Sequence, residues 1–339
     1  MTTSTPASRH SAPADRPDRG VPPEPVPVRP ARARRPTRGR RSSRRHRPLW
    51  MLAPGAVLTI LVVVVPLVVA LHISLLDLDQ YSFRQWVRAP FIGLGNYTEA
   101  VRQSGAVHAI GLSTSYAAIV TVLTLPIGVA AALATQNSFR GRGLVRSVFL
   151  IPYVLPAFVV GTVWRIILQP DGVANGMLAR LGVDGGLWLN GRQSFWALVI
   201  VQIWSSWPLL YLLALAGLQS VDPVVHEAAA LDGAGWWVKL RYVIFPYLRG
   251  PVSLAVIIAF LHNINNFTLP FVLFGVPSPR DVEVLPVLTY VESFQNFRFG
   301  LSAAMAVLSL VLIAIPLAGY LRAVRLDVGT ESAGKEGEA

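Results

Sequence analysis

Six apolar stretches punctuate the chain, at about 49–73, 110–134, 147–168, 194–218, 252–275 and 300–322. At a rise of about 1.5 Å per residue, each is long enough to cross a hydrocarbon layer of about 30 Å as a helix. The pattern predicts an all-α membrane protein with three parts: a polar tail over 1–48, a six-helix domain over 49–325 and a short tail over 326–339. The first stretch, LWMLAPGAVLTILVVVVPLVVAL, follows a tail of 48 residues, exceeds the length of a signal h-region and lacks an A-x-A site, so it is expected to stay as an anchor. Pro66, Pro126, Pro152, Pro156, Pro208 and Pro270 fall within or at the ends of these stretches. There, neighbouring helices must satisfy the backbone groups that proline frees.

Composition supports the membrane assignment and removes one class of partner. With 53% hydrophobic and 14% charged residues among 339, there is too little polar surface to cover a water-soluble core. The net charge of +12 would suggest nucleic acid, but residues 1–47 hold thirteen Arg against Asp15, Asp18 and Glu24. The rest of the chain is almost neutral, so no nucleic-acid partner is expected. The tail, rich in Pro, Arg, Ser and Ala, buries too little to offset its ordering entropy and is expected to be disordered. Its run Arg40, Arg41, Arg44, Arg45 and Arg47 has two readings, attraction to anionic lipid head groups or a determinant of topology alone. With the N-terminus inside, 22 Lys and Arg fall on the cytoplasmic side and 7 outside, and without the tail the bias is 9 to 7. Both termini are therefore expected in the cytoplasm, on the strength mainly of the tail.

Several chemistries lack their residues. The two lysines, Lys239 and Lys335, stand in no Gly-Lys-Ser/Thr context, so no P-loop is present. His226-Glu227 begins an H-E-x-x-H pattern that ends in Ala230 instead of a second ligand, and Gly111 to Ser115 misses the nucleophile elbow at its last position. There are no cysteines to form disulfides or thiolate metal sites. The chain is expected to be no enzyme and to bind no cofactor or metal of its own.

The segment 221–250, VDPVVHEAAALDGAGWWVKLRYVIFPYLRG, lies between the fourth and fifth stretches. Asp222 followed by Pro223 is a helix start, because aspartate caps orphan N–H groups and proline suits the first helical position. Val224, Val225, Ala228 and Leu231 give that helix an apolar face, and Gly233 supplies the freedom to end it. A second amphipathic stretch runs from Trp236 to Phe245 and Pro246. Periodicity alone also allows a head-group anchor with Trp236 and Trp237 in the interface.

The residues of this segment resemble the EAA loop of binding-protein-dependent permeases of the ABC superfamily: Glu-Ala-Ala, three residues, Gly, nine residues, Ile, one residue, Leu-Pro. Glu227, Ala228, Ala229, Gly233 and Pro246 match in register, Asp232 completes a familiar Leu-Asp-Gly-Ala run, and Val243 and Phe245 stand for Ile and Leu. Phe91 to Tyr97, Ala216 to Gln219 and Phe297 to Met305 are similar to segments of the maltose and glycerol-phosphate type of carbohydrate permease, in particular the first of its two permease subunits. The Gly-Gly-Pro run common after the fifth span is replaced by Gly275-Val276-Pro277-Ser278-Pro279.

The resemblance implies a type I ABC importer permease fold in a bacterial cell membrane. It implies that 221–250 forms a coupling helix, with Glu227, Ala228, Ala229, Asp232, Gly233 and Pro246 at the contact with a separate ATPase. It also implies a second permease subunit, two ATPase copies that bind ATP and Mg, and an extracytoplasmic solute-binding protein. For the translocation path, polar residues within spans are the natural candidates. The set is Asn263, Asn265 and Asn266, flanked by His262 and Thr268, with Gln202, Ser205 and Ser206 in the fourth stretch and Trp204, Trp207 and Tyr211 as stacking faces for sugar rings. The same amides also suit helix-to-helix hydrogen bonding. A permease for another solute and a secondary transporter are the alternatives, and the latter leaves the EAA spacing without a role.

Overall fold

The computed structural model describes residues 53–336, so the expected tail 1–48 lies outside the described residues. The helices are α1 (Ala53–Ile73), α2 (Gly95–Arg102), α3 (Ala106–Thr135), α4 (Arg142–Val154), α5 (Ala157–Ile167) and α6 (Val173–Arg180). They continue as α7 (Gln193–Gln219), α8 (Pro223–Leu231), α9 (Trp236–Ile264), α10 (Thr268–Phe274), α11 (Leu285–Phe294) and α12 (Phe299–Glu336). Among the described residues, α1, α3, α7, α9 and the Phe299–Val324 part of α12 are long and apolar enough to cross a membrane, and the bent pair α4 and α5 makes the sixth span.

The third and fifth stretches depart from the continuous helices predicted over 147–168 and 252–275. Proline drives its predecessor out of the α region, and Leu155 before Pro156 is extended (φ −66°, ψ 134°), so α4 and α5 meet at a bend of 89°. The fifth span begins sixteen residues earlier than predicted, because Trp236 to Phe245 is continuous with it, and it ends at Ile264. Residues 265–267 interrupt it before α10. A π-helical stretch, Lys239–Ile244, precedes Pro246 and lets the helix absorb a residue without an N–H. At the other end of the chain, α12 continues helically to Glu336, through the segment expected as a tail.

The axis of the bundle is α7, with 56% of its apolar window buried inside the chain against 0% for α1. It packs on both α3 and α9, which also touch each other. Close approach of α3 to α7 depends on Gly128, where a methyl group would stand 2.8 Å from the backbone nitrogen of Tyr211. Tyr116, Val120, Leu198, Val201, Leu269 and Leu273 form the central core, and Ala132, Tyr211, Leu215, Leu218, Ile244 and Leu248 form a second beside the 221–250 segment.

At the opposite end, two segments far apart in sequence meet. Asn96 donates through Nδ2 to the carbonyls of Ser74 (2.9 Å) and Leu76 (2.8 Å), and the Gly300 N–H donates to Leu78 (2.9 Å). Arg298 pairs with Glu99 across the same junction. The exit of α1, the helix α2 and the start of α12 are thereby tied together.

Candidate functional site

The 221–250 segment is a helix, turn and helix raised on the ends of α7 and α9. The Asp222 carboxylate accepts the Val224 N–H at 2.9 Å, so the expected cap at the start of α8 forms. Its other end closes with the Asp232 N–H on Ala228 (3.0 Å) and the Ala234 N–H on Ala229 (3.0 Å), with Gly233 at φ +71°. That is a Schellman-type ending, which needs a residue at ease in the left-handed region. A methyl group at Gly233 would meet no atom within 4 Å, so the demand for glycine here is purely conformational. Gly235 then leaves the chain extended and α9 starts at Trp236.

The apolar face of α8 is open within this chain: Val224 is 65% and Leu231 89% exposed. Glu227, Ala228, Asp232, Gly233 and Pro246 are also exposed, and Ala229 is half-buried. Below them the base is firm, since Ile244 and Leu248 of α9 pack on Leu215 and Leu218 of α7. The result is a compact apolar and acidic knob on a rigid helical hairpin.

The second site is a cavity of about 570 Å³ where the two interrupted spans meet beside α7. One wall is the bend of α4 and α5 (Pro152, Tyr153, Leu155), another is α7 (Gln202, Ser205, Ser206), and a third is the gap between α9 and α10. Irregular backbone at membrane depth is tolerated where it borders such a space. From that gap His262, Asn263, Asn265, Asn266 and Thr268 all reach the lining, so the expected polar set is brought together in one place. Asn265 and His262 are exposed to it, while Asn263 is 1% exposed.

The amides form one chain of hydrogen bonds. Gln202 donates through Nε2 to Asn263 Oδ1 (2.9 Å) and accepts from Asn266 Nδ2 at Oε1 (2.8 Å). Asn263 Nδ2 points to the Thr121 hydroxyl (3.4 Å), and Asn266 Oδ1 accepts the Leu269 N–H in the first turn of α10 (3.2 Å). Ser206 donates to the Gln202 carbonyl at 2.6 Å. Spans α3, α7 and α9 and the short α10 are therefore linked through Gln202.

The three aromatic candidates lie elsewhere. Trp204 packs edge-on against Trp164 at 5.7 Å, and Trp207 and Tyr211 pack against Phe149 at 5.2 and 5.6 Å, on the α4 side of α7. The aromatic rings that do border the cavity are Tyr153 and Phe267, which sequence reasoning passed over. Their signal was their place beside the two breaks, and only Pro156 announced one of those. Among the described residues, no group of three or more His, Asp or Glu could hold a metal ion.

A family model described as the binding-protein-dependent transport system inner membrane component matches residues 124–324, which take in both the knob and the cavity. The chain belongs to this family of ABC transporter permeases. Among similar proteins, the permease is 32% identical over 284 residues to "Probable ABC transporter permease protein y4oQ" of Sinorhizobium fredii, covering 81% of this chain and 89% of that one. It is 28% identical to the trehalose/maltose transport system permease protein MalF of Thermococcus litoralis, over 70% of this chain and 80% of the relative. In three dimensions the permease is similar to a chain of a bacterial ABC transporter involved in the import of the acidic polysaccharide alginate. The TM-score is 0.68 at 20% identity, with 80% of this chain and 94% of that chain covered, a likeness of fold.

Proposed function

We propose that this permease translocates a sugar or oligosaccharide handed over by an external solute-binding protein. A separate ATPase drives it through the 221–250 knob. The observation that carries the reading is the cavity between two broken spans, whose lining combines amides and hydroxyls with aromatic rings and, among its lining residues, no carboxylate. Sugar hydroxyls find donors and acceptors there, and the apolar faces of their rings find Tyr153 and Phe267. Relatives named for trehalose and maltose transport support the same solute class.

The knob suits an ATPase contact. Its exposed Val224 and Leu231 offer apolar area, Ala228 allows close approach, and Glu227 adds a carboxylate. In this reading the complex holds a second permease subunit and two ATPase copies that carry ATP and Mg. The permease sits in the lipid of a bacterial cell membrane with both termini in the cytoplasm, and this chain holds no cofactor. Reconstitution with its ATPase, second permease and binding protein in proteoliposomes tests the proposal. Uptake of labelled sugar that requires ATP and is lost in Gly233→Val upholds it. Uptake of sugar without any ATPase would overturn the coupling role of 221–250.

A further inference from the structure

We infer that Gln202 is a positioning residue that connects occupancy of the cavity to the 221–250 knob; the inference rests on the sugar-transport reading above. The two helices that enter and leave the knob are α7 and α9, and the polar bridge between them inside the bundle is the pair Gln202 and Asn263. From Gln202 to the end of α7 at Gln219 the helix is unbroken, a run of about 26 Å, and from Asn263 back to Trp236 it spans about 40 Å. A rotation or shift imposed at the bridge therefore reaches both stems of the knob along continuous helix, which on the α9 side includes the π-helical stretch Lys239–Ile244.

The bridge is also joined to the part of the cavity that a solute touches. Asn266 is half-buried at the gap between α9 and α10, and its two amide atoms are engaged by Gln202 Oε1 and by the Leu269 N–H. A solute hydroxyl that takes the place of Gln202 on Asn266 Nδ2 breaks the bond between the two amides. Gln202 is 3% exposed, so water is a poor substitute for the partner it would lose, and its side chain must follow Asn266 or leave a buried amide atom unpaired. Because the other end of the same amide holds Asn263, and Asn263 reaches Thr121 on α3, a change at the gap is passed to three spans. The pattern differs from simple packing glue in that a single side chain serves both the solute-facing amide and the buried one.

The test uses the complete transporter in proteoliposomes, with sugar uptake and ATP hydrolysis measured on the same preparation. Gln202→Met fills the same space without the bonds. Its expected result is a fall in uptake on the order of tenfold, with hydrolysis stimulated by the loaded binding protein kept within about twofold, so that more ATP is spent per sugar. The exchanged pair Gln202→Asn with Asn263→Gln, which retains an amide on each helix, is expected to restore the ratio toward that of the parent. Uptake and hydrolysis falling in parallel in Gln202→Met, or an unrestored ratio in an exchanged pair that is stably assembled, would overturn the inference while leaving sugar transport standing. A parent transporter that moves no sugar would instead remove the sugar reading, and this inference with it.

Discussion

Gly300 lies against the carbonyl of Leu76 with no room for a methyl group between them, and the same methyl would stand 2.8 Å from Asn96 Nδ2. The contact is where the exit of α1 is locked to the start of α12. Gly300→Ala must push apart two backbones that Asn96 and the Gly300 N–H hold together, and overpacking of this kind costs about 1–3 kcal/mol. The expected outcome is a lower thermal midpoint for the purified permease in detergent. Gly319→Ala is the control, since a methyl there meets nothing within 4 Å; it should leave the midpoint unchanged or raise it slightly.

The two ends of α8 make separable predictions. Asp222→Ala removes the cap on the Val224 N–H and is expected to weaken the helix by about 1 kcal/mol, with a partial loss of transport. At Gly233 the series Asn, Ala, Val should show declining ATP-driven uptake, because asparagine tolerates a positive φ and a β-branched residue does not. Membrane levels should be the same throughout, as measured by immunoblot. Equal uptake across the series would mean that the turn at Gly233 does not transmit force.

Asn175 organises the segment between α5 and α7. Its Nδ2 donates to Pro170 (3.0 Å) and Gly186 (3.1 Å), and its Oδ1 accepts from the Gly186 N–H (3.0 Å) and Trp188 Nε1 (2.7 Å). Asn175→Ala strands these groups and should loosen the segment by about 1–3 kcal/mol. Hydrogen exchange at Gly186 and Leu187 should accelerate while exchange in α3 and α7 stays unchanged.

Glu283 carries a pH dependence. Burial first, and the neighbouring Glu292 carboxylate second, push its carboxyl above the ordinary glutamate value, while His108 and Arg280 pull the other way. A carboxyl raised in the folded state favours folding below its unfolded pKa, and that contribution is lost as pH rises through the folded value. Glu283→Gln should therefore raise the thermal midpoint near neutral pH, and the difference from the parent should vanish as pH falls toward about 4. A constant difference across that range would show that the carboxyl does not titrate in this window.

Much of this permease can be read from its residues alone. Apolar length gives the spans because a helix is the segment that satisfies its own backbone in lipid, and the cap, face and turn of α8 are local events written in Asp222, Pro223 and Gly233. Pro156 marks the bend at Leu155, but the approach of Asn96 to Gly300 and the break at residues 265–267 were not legible in this way. Each depends on what a distant segment presents, and hydropathy is the same for a straight span and a bent one. The polar candidates show the difference most clearly. Spacing placed Asn263, Asn266 and Gln202 within spans, where their cost in lipid marks them out. It also offered Trp204, Trp207 and Tyr211, because rotation of α7 about its axis is invisible until the helix packs. Tertiary structure turned those rings toward Trp164 and Phe149 and the amides toward one another and the cavity. The reason is that a buried amide must find a partner while an aromatic ring needs only area, so the packing of α3, α7 and α9 decided which side chains line the cavity.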